Sequence, residues 1–175
     1  MTLDALIAAL PDYAKDLRLN LSSLLAEDIL TDQRKYGLLV ACAHATGYRP
    51  LIVAAEAEAS AKLDAAAMTA AKTAAAIMAM NNVYYRFVHL ASNKEYGKLP
   101  AKLRMNAISR PGIDKSDFEL MSLAVSAING CGLCIDSHEQ VLRQHGVSIE
   151  VIQTAARLAA VVNAVAKTHQ AIAGN

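Results

Sequence analysis

Residues 65–82 read Ala-Ala-Ala-Met-Thr-Ala-Ala-Lys-Thr-Ala-Ala-Ala-Ile-Met-Ala-Met-Asn-Asn, without a glycine or a proline. Alanine loses no side-chain entropy in a helix and offers a strand little to pack, so the stretch predicts one long helix. Met68, Ile77, Met78 and Met80 are its packing residues, and methionine at helical spacing reads as core filler. The same bias runs through the chain: alanine supplies 35 of 175 residues, glycine and proline together 12, phenylalanine two and tryptophan none. With so few large aromatics, helices must approach one another closely over small side chains. No sustained alternation of β-branched and aromatic residues appears, so the predicted class is all-α.

Working outward, a helix over 2–10 ends before Pro11, and one over 12–30 places Leu17, Leu21, Leu24 and Leu25 on one face. A third, over 32–46, stops at Gly47, and Pro50 opens a fourth that reaches about residue 63. Downstream, residues 91–113 contain Gly97, Pro100, Pro111 and Gly112 and predict the longest irregular connection. Helices over 116–129, 131–144 and 148 to about 173 follow, punctuated by Gly130 and Gly146. The expectation is one compact domain over 1–175 of about eight helices, with its active half at about 114–175. A degenerate internal duplication is also expected. Setting Gly47 against Gly130 aligns 36–63 with 119–146, and a two-residue shift then matches Ala70, Ala71, Ala74, Ala75 and Ala79 with Ala155, Ala156, Ala159, Ala160 and Ala164. Tyr36, Tyr48 and Leu51 then stand where the second copy has Glu119, Cys131 and Cys134.

The formal charge is +1, and no block of like charges occurs. That leaves no electrostatic footprint for nucleic acid or an anionic membrane. Apolar runs read as too short for a membrane helix, and Asp4 and Pro11 stand where a secretion signal would be basic. A soluble cytoplasmic protein is expected. Three cysteines are then no disulfide framework, and two of them share one motif, so redox or metal chemistry is the first reading to examine.

Cys131-Gly132-Leu133-Cys134 follows Gly130 directly, where one helix has ended and the next begins. A helix N-terminus offers free N–H groups and partial positive charge, which favour a thiolate. His138 lies four residues beyond Cys134, on the same helix face, placing an imidazole beside a thiol. Glu119 is 11 residues before Gly130 and His138 is 8 after it. In two antiparallel helices the mismatch is roughly 4–5 Å, which a glutamate side chain or one water spans, and the carboxylate would orient the imidazole. The helix terminus favours ionising Cys131, whereas His138 favours ionising Cys134.

Glu119, Cys131-x-x-Cys134 and His138 together resemble the active-site signature of the alkyl hydroperoxidase D proteins, within the carboxymuconolactone-decarboxylase-like superfamily. The resemblance also takes in Met80-Asn81-Asn82-Val83-Tyr84-Tyr85-Arg86-Phe87, Arg104-Met105-Asn106-Ala107 and Ser126-Ala127-Ile128-Asn129-Gly130-Cys131. It implies an all-helical homotrimer that reduces alkyl hydroperoxides with no bound cofactor. It further implies an adaptor role, passing electrons from lipoyl groups to the peroxiredoxin of the alkyl hydroperoxide reductase system. The lipoyl donor would be a lipoylated dihydrolipoamide succinyltransferase served by dihydrolipoamide dehydrogenase. By the same resemblance Cys134 attacks peroxide, Cys131 closes a disulfide with it, and His138 and Glu119 form the proton relay. One departure is that some members have a histidine just before the second cysteine, where this chain has Leu133.

Competing readings are a zinc-binding structural module and a cofactor-free acid/base enzyme of the decarboxylase type. Zinc needs four ligands around one point, yet residues 131 and 145 of a single helix lie roughly 21 Å apart, so His145 cannot join Cys131, Cys134 and His138. An acid/base enzyme would use Glu119 and His138 but has no need of two adjacent thiols. Cys42 reads as a small buried hydrophobe. His44, His89, His145 and His169 read as surface or satisfied core histidines.

Overall fold

The computed structural model describes residues 1–173, so the last two residues of the expected 1–175 domain lie outside it. The described residues form α1 (Leu3–Ala8), α2 (Lys15–Ala26), α3 (Asp32–Thr46), α4 (Arg49–Ala59), α5 (Ala65–Leu90), α6 (Asn106–Ser109), α7 (Lys115–Asn129), α8 (Gly132–Gln144) and α9 (Ile149–Ala173). Short 3-10 turns occupy Asp12–Ala14 and Lys94–Lys98, and no strand is present among these residues. The expected all-α class is observed. The additional helix is the single turn α6, inside the expected irregular connection.

Several boundaries follow local chemistry. Thr2, Thr31 and Asp64 cap α1, α3 and α5 by accepting the N–H of Ala5, Arg34 and Ala67. Each supplies an acceptor for a first-turn N–H that has no partner in its own helix. Gly47 and Gly130 end α3 and α7 at φ 69°, the left-handed conformation that glycine adopts without a Cβ penalty. The longest departure from expectation is α5, which continues to Leu90 rather than stopping near 82. Val83–Phe87 contains weaker helix formers but no glycine or proline, so each further turn costs only tenths of a kcal/mol per residue.

Helices α3 and α7 lie at the centre. Both contact α5 and α9 as well as each other, and consecutive residues from Gly37 to Ala43 and from Ser116 to Ser126 are buried. A helix enclosed on all sides buries such continuous runs rather than a single stripe. Leu38, Leu39, Phe118, Leu120, Met121 and Leu158 form the core between them. A Cβ built on Gly37 would come within 2.2 Å of the Met121 terminal methyl, so glycine at this point admits the α7 side chain against α3. Near the start of both helices, Arg34 Nε donates to Asp117 Oδ1 at 2.5 Å and Gln33 Nε2 to Asp117 Oδ2 at 2.6 Å, tying α3 to α7.

The expectation that every apolar run is too short to span a membrane needs correction for α9. Its 25 residues are long and apolar enough by length and composition. Its apolar character has another use: Ala155, Leu158, Ala159, Val162, Val165 and Ala166 are buried, and the helix packs on α2, α3 and α7. The order α3–α4–α5 and the order α7–α8–α9 run parallel in length, 15, 11 and 26 residues against 15, 13 and 25. That parallel is one of order and length, and descent of the halves from one ancestor stays an expectation.

Candidate active site

The Gly130 turn brings α8 back against α7. The Cys131 N–H donates to the Ser126 carbonyl at 3.1 Å, closing the end of α7. Cys131 is then the residue that caps α8, with its Sγ accepting the Cys134 N–H at 3.3 Å. Cys131 and Cys134 are joined as a disulfide, with Cα atoms 5.3 Å apart. Both are buried, Cys131 completely.

Glu119 and His138 meet directly. His138 Nδ1 lies 2.5 Å from Glu119 Oε2, with the carboxylate 2% exposed and the imidazole 8% exposed. Lys115, one turn earlier on α7, donates from Nζ to Glu119 Oε1 at 2.6 Å and to the Ile108 carbonyl at 3.0 Å. Burial pushes the Glu119 carboxyl up, but the hydrogen bonds and charges of His138 and Lys115 outweigh it and hold the group below its ordinary value. An ionised carboxylate only accepts, so Nδ1 carries hydrogen and Nε2 is the nitrogen left to take a further proton. With the Cys134 sulfur bonded to Cys131, Nε2 faces the Met78 thioether at 3.2 Å.

A cavity of about 500 Å³ opens onto this group. Its walls are largely apolar, from Tyr85 on α5, Met105 and Ile108 in the connection, and Leu133 and Val141 on α8. Cys134, Ser137, His138, Glu119, Lys115 and Asn81 supply its polar side. Cys134 lines the cavity and Cys131 does not. The two sulfurs are thus unequal in access: one faces a space of small-molecule size, and the other sits behind it at the helix start.

Sequence reasoning named Cys131, Cys134, His138 and Glu119, and the fold gathers all four. It gives no site role to Lys115, Met78, Asn81 or Tyr85, although Asn81 and Tyr85 fall within a motif that the resemblance takes in. Lys115 carried a signal, since it precedes Glu119 by four residues on one helix face. Met78, read as core filler, is buried yet also touches the imidazole. Asn81 and Tyr85 arrive from α5, distant in sequence, and spacing within α7 and α8 says nothing of them.

The other candidate groups lie elsewhere. Cys42 is fully buried, and burial pushes its thiol up to about 12, far from any nucleophilic range. His44 pairs with Glu56 at 2.7 Å and His169 bonds the Leu6 carbonyl at 3.0 Å, while His89 and His145 are exposed. Among the described residues, no three His, Cys, Asp or Glu side chains converge as a metal's donors would.

The carboxymuconolactone decarboxylase family matches the chain over residues 94–173. A protein of Rhizorhabdus wittichii named alkyl hydroperoxide reductase AhpD is 69% identical, over 97% of this chain and 98% of its own. Proteins of the same name from Maricaulis maris, 63% identical over 95% of this chain and 96% of theirs, and from Bradyrhizobium sp., 62% identical over 99% and 96%, are similarly related. Likeness of this degree along nearly the full length of both partners establishes that the chain belongs to the AhpD family of alkyl hydroperoxide reductases.

Proposed function

We propose that this chain is an oxidoreductase that reduces alkyl hydroperoxides through a dithiol–disulfide cycle of Cys131 and Cys134. The observation that carries the reading is the position of Cys134 on a mostly apolar cavity, one helical turn from an imidazole held by a buried carboxylate. The name borne by the relatives, alkyl hydroperoxide reductase, supports the reduction of peroxides in this reading.

In the reduced protein His138 Nε2 takes the proton of Cys134, and Glu119 stabilises the imidazolium through Nδ1–H. The thiolate attacks the terminal oxygen of the hydroperoxide. An S–O bond forms, the O–O bond breaks, and the alkoxide takes a proton from His138 to leave as the alcohol. Cys134 is then a sulfenic acid. The Cys131 sulfur attacks it, the S–O bond breaks, and the departing hydroxide takes the Cys131 proton to become water. The disulfide is the product, and an external dithiol must supply two electrons and two protons to restore the start. Dihydrolipoyl groups on a dihydrolipoamide succinyltransferase, kept reduced by dihydrolipoamide dehydrogenase, are that donor in this reading, and the peroxiredoxin of the same system is a second acceptor of the electrons. The cytoplasm, reducing enough to regenerate a dithiol, is the compartment the cycle calls for.

A homotrimer is also proposed. Val83, Phe87 and Leu90, spaced i, i+4 and i+7 along the end of α5, are 62%, 50% and 70% exposed. Such a stripe supports self-association.

Titration of free thiols before and after one equivalent of an organic hydroperoxide tests the cycle. The unmodified reduced protein should lose two thiols per chain, and Cys134→Ser should lose none. No loss in the unmodified protein overturns the reading.

A further inference from the structure

Lys115 is the first residue of α7, where a helix gains least from a cation. Positive charge opposes the dipole at a helix N-terminus, and a lysine four residues ahead of a glutamate is the less favourable order for such a pair. The side chain is nevertheless held at two points: Nζ donates to Glu119 Oε1 at 2.6 Å and to the Ile108 carbonyl at 3.0 Å. The carboxylate side chain is 3% exposed and the lysine side chain 38%. The ammonium therefore keeps its contact with water while its charge is applied to a buried group, unlike a fully exposed ion pair, which contributes little.

The titratable groups on the cysteine cavity are Tyr85 from α5, Lys115 and Glu119 from α7, and Cys134 and His138 from α8, while the connection brings only Met105 and Ile108. Among the described residues on the cavity, Lys115 is the one permanent cation. Charge counting shows what it does. With a Cys134 thiolate, a His138 imidazolium and a Glu119 carboxylate, the site is neutral only when Lys115 is included. Without the lysine the same state carries a net negative charge beside largely apolar walls, which disfavours it.

We infer that Lys115 is a positioning residue of this site: its ammonium, fixed between Glu119 and the Ile108 carbonyl, balances the buried carboxylate and so lets the Cys134–His138 pair hold a thiolate near neutral pH. The inference rests on the peroxidase reading above only for the use made of that thiolate. The role needs no contact with sulfur or peroxide, and the lysine transfers no proton.

The test uses the full chain carrying Cys131→Ser, so that Cys134 is the thiol alkylated; Cys42 is fully buried, with its thiol pushed up to about 12. The rate of alkylation by iodoacetamide is followed against pH in this protein and after Lys115→Met, Lys115→Gln and Lys115→Arg. Methionine removes the charge and the donor, glutamine removes the charge and keeps a donor, and arginine keeps both. The midpoint of the profile, which belongs to the Cys134–His138 pair, should rise by about one unit in the methionine and glutamine variants, or tenfold slower alkylation below it, and stay in place with arginine. A purely structural lysine would not move it. An unmoved midpoint in either neutral variant that folds, or an equal rise with arginine, overturns the role of Lys115. Oxidation of the same proteins by cumene hydroperoxide should shift with pH by the same amount. If alkylation shifts as stated while none of the proteins is oxidised, the peroxidase reading fails and the role of Lys115 stands.

Discussion

Replacing Glu119 with glutamine changes the charge of the site with the least change in shape. The carboxylate accepts two short bonds from cationic or proton-bearing partners, Lys115 at 2.6 Å and His138 at 2.5 Å, while 2% exposed. Hydrogen bonds to charged groups contribute about 1.5–3 kcal/mol each, roughly twice the neutral kind, and an amide oxygen keeps part of one. The expected cost is about 2 kcal/mol, or a fall in Tm of roughly 4–8 °C for a chain of this length. The pH dependence has a definite sign. Because the folded-state carboxyl lies below its ordinary value of 4.5, its contribution is complete above that pH and is lost as pH falls through the folded value. The gap in Tm between the unmodified protein and Glu119→Gln should therefore be widest near neutrality and close in acid. Loss of the group that orients His138 should also slow oxidation of Cys134 roughly 100-fold, the lower end of what a positioned general base supplies. Calorimetry at pH 7 and pH 4 and stopped-flow oxidation of the reduced protein measure both effects. A gap that does not depend on pH, or an unchanged oxidation rate, would refute the electrostatic account.

Two further outcomes concern the scaffold. Asp117→Ala leaves Arg34 and Gln33 without the buried carboxylate that joins α3 to α7, and unfolding in denaturant should show a loss of about 2–3 kcal/mol. Gly130→Ala meets no atom within 4 Å, so its cost is confined to the left-handed backbone at φ 69°. That cost is about 1–2 kcal/mol, and a measured loss well above it would mean that the turn before Cys131 is constrained by packing as well.

Much of this arrangement is legible in the sequence because it is local. The alanine run at 65–82 is helical as expected, the Gly47 and Gly130 stops act where their chemistry predicts, and the Glu119–His138 contact follows from counting residues on either side of Gly130. What the sequence conceals depends on tertiary packing. The end of α5 has no breaking residue to mark it, and Met78, Asn81 and Tyr85 reach the cysteine cavity only because α5 packs across α7 and α8. The apolar character of α9 looks alike whether a helix is to face lipid or a protein core, and only its neighbours α2, α3 and α7 decide between them.

The proposed cycle depends above all on which sulfur peroxide strikes. Reduced Cys131→Ser, treated with one equivalent of an organic hydroperoxide in the presence of dimedone and digested for mass spectrometry, reads this directly, because the sulfenic acid then has no neighbouring thiol to consume it. The prediction is a single dimedone adduct on Cys134, the sulfur that lines the cavity. An adduct on Cys42 instead, or none on Cys134 while the reciprocal Cys134→Ser variant is labelled at Cys131, would contradict it.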